Sequence, residues 1–326
     1  MRAALIKSHG RPPIVVDRGA PAREDGSALV SSTATPITPL DILCASGTSY
    51  FGPPRLPYVP GVQGVGVVEE ATVCPSGTRV WFPTAAGMQP GDGSMAQQVL
   101  VPESDLVVLP DEVTDTLVAA LGLSAIAGWM SLTWKAALRP GEQVLVLGGG
   151  SIVGQVAIQA ARLCGARRVV AACRSSRAHD RAAECGAHAV VTVYDHDLPD
   201  ALEARIADAC DGDVDVVVDP LCGVPATAAL RLLASGARFV NLGGSAGESA
   251  TFASATLRSR PAAVLGYTNN ELGMEQKRQA LSELLAHAAR GRLSVDHDVV
   301  PLDDLPEAWD RQVHGAAPRR IVVTLT

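Results

Sequence analysis

The sequence lacks an excess of positive charge. Its 27 Lys and Arg residues are outnumbered by 34 Asp and Glu residues, which gives a formal net charge of −7. Proteins that bind nucleic acid usually present a basic surface to the phosphate backbone, so no nucleic-acid partner is expected. No continuous apolar run approaches the roughly 18 residues that would cross a bilayer, and the apolar stretch at the N-terminus is too short for a secretory signal. We therefore expect no membrane partner and a cytoplasmic location.

Paired cysteines are also missing. The seven cysteines are odd in number and scattered, and none of them forms a Cys-x-x-Cys pair, which argues against a disulfide framework and against a zinc knuckle. The seven histidines show neither metal-ligand spacing nor a partner nucleophile. We therefore expect no bound metal, and cysteines that are buried or idle thiols in a reducing cytoplasm. The cysteines are Cys44, Cys74, Cys164, Cys173, Cys185, Cys210 and Cys222.

The composition is that of an ordinary globular protein large enough for two domains. Apolar residues make up 47% and charged residues 19% of the 326 positions. Residues 1–115 carry short Val-rich runs, such as Gly64–Val68 and Gln98–Val101, between turns rich in Gly and Pro. Short β-branched runs with this punctuation predict an all-β, barrel-like unit.

A different pattern begins near residue 116. Val144–Leu147 is typical of a strand buried on both faces, and a helical stretch from Gly154 to Cys164 follows it. Strands and helices then alternate up to a sixth strand, Ala262–Tyr267, which predicts a doubly wound parallel sheet over residues 116–268. Residues 269–326 contain a helical pattern and two strand-like runs, and periodicity alone does not say which domain these strands join.

A glycine-rich turn lies between the first buried strand and its helix. Glycine at such a turn lets the backbone approach a pyrophosphate, and the start of the next helix offers free N–H groups and the positive end of the helix dipole. The spacing is one residue longer than the usual G-x-G-x-x-G. Its strand–turn–helix–strand setting predicts dinucleotide binding. The residues concerned are Gly148, Gly150, Ser151, Ile152, Val153 and Gly154.

The end of the second strand of this sheet lacks an acidic residue. Enzymes that use NAD commonly place an Asp or Glu there, about 20 residues past the turn, to bind the ribose 2′-hydroxyl. Here the strand runs into Arg174, Ser175 and Arg177, and no acid occurs before Asp180. Guanidinium groups beside hydroxyls suit a 2′-phosphate, which predicts NADPH as the cofactor; a solvated basic turn is the alternative.

Four further segments place the glycine turn in a wider pattern. They are Leu56–Val68, Leu138–Val146 directly before the turn, Val214–Pro220 with Phe239–Gly244, and Val300–Ala308. Together they resemble the medium-chain dehydrogenase/reductase superfamily, in its zinc-independent, quinone-oxidoreductase-like branch. The resemblance covers nearly the whole chain, and it is specific for the superfamily but not for a substrate.

This resemblance implies an α/β protein with a GroES-like β-barrel catalytic domain and a doubly wound Rossmann domain that binds NADPH. The catalytic domain would comprise residues 1–115 and 269–326, and the Rossmann domain residues 116–268. The implied reaction is hydride transfer to a small molecule, either a quinone or an activated carbon–carbon double bond of an enone or enoyl group. Backbone groups of Leu242 and Gly243 would bind the nicotinamide amide. Members of the branch are often homodimers paired through the last sheet strand, here Ala262–Tyr267.

The chain also departs from its superfamily. Zinc alcohol dehydrogenases carry Gly-His-Glu where this chain has Gly61, Val62 and Gln63, and Val62 cannot bind a metal. Cys44 follows Asp41, whereas a metal-binding cysteine is expected before that aspartate. Zinc catalysis is therefore not expected. A zinc-type alcohol dehydrogenase is one alternative function, and a catalytically silent NADPH-binding protein is another.

The branch's substrate-side motif, Asn-x-x-Asp-x-x-x-Arg-x-Gly-x-Tyr, is only partly kept. Thr38 takes the place of the Asn, Ala45 replaces the Arg, and Tyr50 lies one residue late. Hydride transfer to an enone leaves charge on an oxygen, so a hydroxyl donor near the nicotinamide would assist the reaction. Tyr50 is the expected donor, with a packing role as its alternative. Thr38 is a second catalytic candidate, with a structural role in the turn as its alternative, and Tyr58 is expected to be a packing residue.

Overall fold

The computed structural model of the chain describes residues 1–325 and contains two compact units. Unit 1 is Met1–Leu123 together with the segment from Ser294 onward, and unit 2 is Ser124–Leu293. Both boundaries lie further along the chain than the expected positions after residues 115 and 268. The difference is larger at the second boundary, because a helix that was expected in the catalytic domain packs in unit 2.

Fifteen strands and nine α-helices lie within residues 1–325. The strands are β1 (Arg2–Leu5), β2 (Ile14–Asp17), β3 (Ser27–Pro36), β4 (Gln63–Glu70), β5 (Arg79–Pro83), β6 (Gln98–Pro102), β7 (Val107–Val108), β8 (Gln143–Leu147), β9 (Arg168–Cys173), β10 (Ala189–Thr192), β11 (Val214–Asp219), β12 (Leu233–Asn241), β13 (Ala263–Gly266), β14 (His297–Pro301) and β15 (Arg320–Thr324). The helices are α1 (Pro39–Ser46), α2 (Asp115–Met130), α3 (Ile152–Leu163), α4 (Ser176–Glu184), α5 (Pro199–Ala209), α6 (Gly223–Leu230), α7 (Ser254–Ser259), α8 (Met274–Ala289) and α9 (Leu305–Val313).

Unit 2 is built on a six-stranded parallel sheet. Its strand order is β10-β9-β8-β11-β12-β13, and every neighbouring pair is parallel. All five residues of β8 are buried, as expected for a strand covered on both faces. The order reverses direction between β8 and β11, so the crevice where doubly wound sheets bind their ligands lies at the carboxyl ends of these two strands. The predicted α/β fold with a doubly wound sheet is confirmed.

Helix α8 belongs to unit 2 because both its apolar and its polar contacts lie there. Leu281, Leu284 and Leu285 are buried. The indole nitrogen of Trp129 donates to Glu283 at 3.1 Å, and its ring lies 5.6 Å from that of His287. A helical period identifies such a helix, but it does not identify the surface against which the helix packs.

Unit 1 is a mainly antiparallel β unit in which both chain segments take part. Its seven-stranded sheet has the order β14-β15-β3-β4-β5-β7, with β6 paired to β3, and β1 and β2 form a separate hairpin. Strand β15 pairs antiparallel with β3 and parallel with β14. The two strand-like runs near the end of the sequence therefore complete a sheet that begins near residue 27.

One segment of the described residues is long and apolar enough, by length and composition alone, to cross a membrane. It is Asp115–Lys135, which comprises α2 and a π-helical turn, and 67% of its most apolar window is buried inside the protein. The backbone at Gly122, with φ of 34° and ψ of −133°, interrupts the helix. Such burial is usual for a core helix of a globular protein.

The side chain of Gln63 occupies the space at this interruption. Its Oε1 accepts hydrogen bonds from the Leu123 amide at 2.6 Å and from the indole nitrogen of Trp81 at 3.0 Å, and Gln63 itself is only 1% exposed. A Cβ at Gly122 would lie 2.5 Å from the Gln63 Cδ. Glycine is therefore required at 122 both for its backbone conformation and for the room that Gln63 takes.

The glycine turn after β8 is packed as tightly as the helix interruption. A Cβ at Gly150 would lie 2.9 Å from the Ala178 Cα, and one at Gly154 would lie 2.7 Å from the Gly149 Cα. These glycines let α3 and α4 approach the turn closely. The turn therefore has a packing role within unit 2 in addition to any role toward a ligand.

We expect the Gln63→Leu substitution to destabilise unit 1, because it leaves two buried N–H donors without an acceptor. Each unpaired donor costs about 1–3 kcal/mol. The free energy of unfolding, measured by urea titration, should fall accordingly. Gln63→Glu is the matched control: it keeps an acceptor at this position and should retain more of the stability. Equal stability of the Leu variant and the wild type would contradict this account of the helix interruption.

We expect Gly150→Ala to lower stability by about 1–3 kcal/mol, because the added methyl overpacks the contact with α4. The Ala178→Gly substitution should recover part of the loss in the double variant, which a double-mutant cycle on urea unfolding would detect. Gly19→Ala, at a position with no atom near its Cβ, serves as control and should be close to neutral. Additive effects of the two substitutions would show that the contact carries no strain.

Candidate cofactor and substrate sites

Three loops meet at the carboxyl edge of the parallel sheet in unit 2. They follow β8, β11 and β12, and they contact one another at glycine residues. A Cβ at Gly148 would lie 3.1 Å from Leu221, one at Gly243 2.7 Å from the Pro220 carbonyl, and one at Gly223 2.7 Å from the Ala246 carbonyl. This contact fixes the backbone around the point where the strand order reverses.

The start of α3 is open for an anion at this edge. Ser151 caps the helix: its Oγ donates to the Gly148 carbonyl at 2.8 Å and accepts from the Gly154 amide at 3.1 Å. The amides of Ile152 and Val153 in the first turn have no helical acceptor, and they lie at the positive end of the helix dipole. These residues fit the pyrophosphate of a dinucleotide.

The turn after β9 brings two arginines to the same edge of the sheet. Arg174, Ser175 and Arg177 are all exposed. Ser175 caps α4, since its Oγ accepts from the Ala178 amide at 3.2 Å, and its hydroxyl proton is free to donate elsewhere. Two cations and a hydroxyl beside a helix start fit a phosphate group. The structure also places an acid here that sequence reasoning missed: Asp195 Oδ1 lies 3.8 Å from Arg174 Nη1.

Two backbone groups directly after β12 are left without a hydrogen-bond partner among the described residues. The Leu242 amide donates to the Asp219 carbonyl at 2.9 Å, and the Gly243 carbonyl accepts from the Asn241 side chain at 3.0 Å. The Leu242 carbonyl and the Gly243 amide make no hydrogen bond among residues 1–325. An acceptor and a donor in neighbouring residues would suit a carboxamide, such as that of a nicotinamide.

Asp219 at the end of β11 organises the loop that follows this strand, a role that sequence reasoning did not assign. It is fully buried; its Oδ1 accepts from the amides of Leu221 and Cys222 at 2.9 and 2.8 Å, and its Oδ2 accepts from Asn241 at 2.9 Å. Burial raises the pKa of this carboxyl. Cys222 has a φ of 55°, a conformation that L-residues rarely adopt, so the Asp219 bonds help to hold a strained turn.

In unit 1, Asp41 joins α1 to the Gly61 turn. Its Oδ1 accepts from the amides of Gly61 and Val62 at 3.0 and 2.9 Å, and its Oδ2 accepts from the Thr38 amide and hydroxyl at 2.9 and 2.6 Å. Burial raises the pKa of Asp41. The Thr38 hydroxyl is therefore engaged in capping α1, and Thr38 is only 4% exposed. This geometry favours the structural role for Thr38 over the catalytic one.

Arg320 is a buried cation near Asp41 that sequence reasoning missed. It is 8% exposed, and its Nη1 donates to the Ile37 carbonyl at 2.7 Å. Burial lowers its pKa to about 10, while the charge of Asp41 opposes this change, so Arg320 is positive at neutral pH. Arg320 is the first residue of β15, and the residue before it, Arg319, is exposed. Nothing in the local sequence pattern distinguishes the buried arginine from the exposed one.

The donor set around Asp41 does not fit a zinc ion. Val62 offers no ligand atom, and Cys44 is fully buried. Burial, together with the charge of Asp41, raises the pKa of the Cys44 thiol to about 11, so the thiol is protonated at neutral pH. Across residues 1–325, no three His, Cys, Asp or Glu side chains form a group able to hold a metal ion.

The two tyrosines of this region have opposite surroundings. Tyr50 is 77% exposed, and its ring lies 4.2 Å from that of Phe51, so the packing role considered for it does not describe its position. Tyr58 is 5% exposed, as expected for a packing residue, yet its hydroxyl has no hydrogen-bond partner among the described residues. Burial raises the pKa of Tyr58, which keeps its proton in place.

Comparisons with known proteins find matches to both units of the chain. Residues 24–111 match the family model described as alcohol dehydrogenase GroES-like domain, and residues 153–287 match that described as zinc-binding dehydrogenase. The human quinone oxidoreductase is 26% identical over 324 residues, covering 97% of this chain and 95% of that protein.

Two solved structures are similar over the full length. The quinone oxidoreductase from Thermus thermophilus, determined also as a complex with NADPH, is 29% identical with a TM-score of 0.83 and covers 100% of both chains. An NAD-dependent alcohol dehydrogenase is 25% identical with a TM-score of 0.87, also covering 100% of both chains. With the GroES-like unit, the parallel sheet and these full-length relatives together, the chain belongs to the medium-chain dehydrogenase/reductase superfamily, in its quinone oxidoreductase-like branch.

Proposed function

We propose that this protein is an NADPH-dependent reductase that transfers hydride to a quinone or to an activated carbon–carbon double bond. The observation that carries the proposal is the carboxyl edge of the unit 2 sheet, where the start of α3 is open and the arginines after β9 are exposed. Each of these two places would suit a phosphate group. NADPH is the cofactor, as in the Thermus thermophilus complex. When bound, NADPH supplies the hydride, and the side chains of the protein supply position and protons.

Each part of NADPH has residues suited to it on this edge. The amides of Ile152 and Val153, with Ser151, would bind the pyrophosphate. The predicted glycines Gly148, Gly150 and Gly154 bring the turn and helices together behind them. Arg174, Ser175 and Arg177 would bind the 2′-phosphate through charge-assisted hydrogen bonds. The Leu242 carbonyl and the Gly243 amide would hold the nicotinamide carboxamide and so fix which face of the ring donates hydride.

The reduced substrate also needs a proton, and unit 1 offers two tyrosine hydroxyls. Tyr50 is accessible to solvent and can recover a proton from water after each turnover. Tyr58 holds an unpartnered hydroxyl in a buried position. We assign the donor role to Tyr50, because a group that releases a proton in every cycle must be reprotonated. Thr38 is not assigned a role in this step, since its hydroxyl is engaged with Asp41.

An alcohol dehydrogenase is the second candidate function, favoured by the NAD-dependent alcohol dehydrogenase among the similar structures. Zinc in such enzymes polarises the alcohol oxygen, and here Val62, which stands where those enzymes carry a zinc-binding histidine, offers no ligand atom. A catalytically silent NADPH-binding protein is the third candidate, and a substrate screen distinguishes it from the reductase.

The test is NADPH oxidation, followed by absorbance, across quinones, enones, enoyl thioesters and aldehydes. We expect turnover with a quinone or an activated double bond, unaffected by a metal chelator. In the Tyr50→Phe variant, the rate on enones should fall, by about 10²–10⁴-fold if general acid catalysis is fully lost. Tyr58→Phe is the comparison variant and should retain most of the rate. Tight NADPH binding without turnover on any acceptor would favour the silent binding protein.

We also propose that the protein forms a homodimer through β13. This strand is the edge of the unit 2 sheet and pairs only with β12 among the described strands. Val264 on it is 51% exposed, and an exposed apolar edge strand is a template for pairing with a second copy. Light scattering should give about twice the chain mass of 33.7 kDa, and Val264→Lys should shift the mass toward the monomer.

A further inference from the structure

Arg174 and Asp195 meet because β9 and β10 are parallel neighbours. Cys173, the last residue of β9, is in register with Thr192, the last residue of β10. Both chains therefore leave the sheet at the same edge, and the residues that follow come together. Arg174 Nη1 lies 3.8 Å from Asp195 Oδ1. No acidic residue follows β9 in the sequence, but Asp195, in the segment after β10, lies at the same place in the folded chain.

The segment that carries Asp195 is fixed independently of this pair. The Val193 amide donates to the Cys173 carbonyl at 2.8 Å. Asp197 Oδ2 accepts from the Tyr194 amide at 2.8 Å and from the Arg205 guanidinium. Burial alone would raise the pKa of Asp197, but these hydrogen bonds lower it, so Asp197 is ionised at neutral pH. The backbone on both sides of Asp195 is therefore fixed by hydrogen bonds at the edge of the sheet that also carries Arg174.

The pair itself does little for stability. The Arg174 and Asp195 side chains are 78% and 84% exposed, and exposed ion pairs at this separation contribute little to folding. The charge of Asp195 acts instead on whatever anion Arg174 binds. A carboxylate competes with that anion for the guanidinium and repels it directly.

We propose that Asp195 is a specificity-determining residue that limits the preference of this protein for NADPH over NADH. This inference rests on the proposed binding of the 2′-phosphate by Arg174. With NADPH, Asp195 opposes the 2′-phosphate dianion. With NADH, its carboxylate accepts a hydrogen bond from the ribose 2′-hydroxyl, the role that NAD enzymes give to an acid at the end of the second strand.

Equilibrium binding tests this proposal without any substrate. Isothermal titration calorimetry would compare NADP⁺ with NAD⁺, and 2′,5′-ADP with 5′-AMP, on the wild type and on Asp195→Asn. The substituted side chain is exposed and of the same shape, so the fold and Tm should be unchanged. We expect binding of NADP⁺ and 2′,5′-ADP to tighten by about two- to fivefold and that of NAD⁺ to weaken or stay constant. The gain should shrink at high ionic strength because salt screens exposed charges.

Asp211→Asn is the matched control. Asp211 forms an exposed ion pair with Arg167 at 3.1 Å and precedes β11. The Asp211→Asn substitution therefore removes the same charge, but at the opposite edge of the sheet. Its NADP⁺ to NAD⁺ ratio should equal that of the wild type. If Asp195→Asn leaves that ratio unchanged, or Asp211→Asn changes it as much, the inference about Asp195 is overturned while NADPH binding stands. A wild type that binds neither nucleotide would overturn the proposed function and this inference together.

Discussion

The cofactor edge of unit 2 depends on one constraint, which is that no side chain fits where three loops meet. A Cβ at Gly223 would lie 2.7 Å from the Ala246 carbonyl, and one at Gly243 would lie 2.7 Å from the Pro220 carbonyl. Because the loops touch at these glycines, the open amides of α3 and the open groups after β12 are held in fixed positions. A rigid array of backbone donors and acceptors binds a long cofactor with little loss of conformational entropy.

Local patterns predicted much of this fold. The strand predicted at Val144–Leu147 is β8 with one residue added, because a run buried on both faces leaves a clear apolar signal. The predicted α/β class and superfamily are confirmed. Helix α4 is less visible in the sequence, since the Ser175 cap begins it with a polar first turn that apolar periodicity does not mark. The interpretation of the glycine turn as the start of a Rossmann unit agrees with the sheet order.

The remaining features depend on residues that lie far apart in the sequence. Gln63 bonds to partners 18 and 60 positions away, and neither partner carries a local signal. Arg174 and Asp195 meet only through the register of two parallel strands, so the sequence around Arg174 indicated a site without an acid. Thr38 is the opposite case. Its place in a family motif indicated a catalytic role, whereas its hydroxyl is engaged with Asp41 in capping α1.

The pairing of β15 with β3 has a consequence for the order in which the protein is made. Residues 124–293 form unit 2 from a continuous stretch of chain, so this unit can fold as soon as that stretch has left the ribosome. Unit 1 begins to emerge first, yet its sheet lacks two strands until Arg320–Thr324 is synthesised. The N-terminal strands must therefore wait with an unpaired edge throughout most of translation. Chaperone demand during biosynthesis should accordingly fall on the first third of the chain.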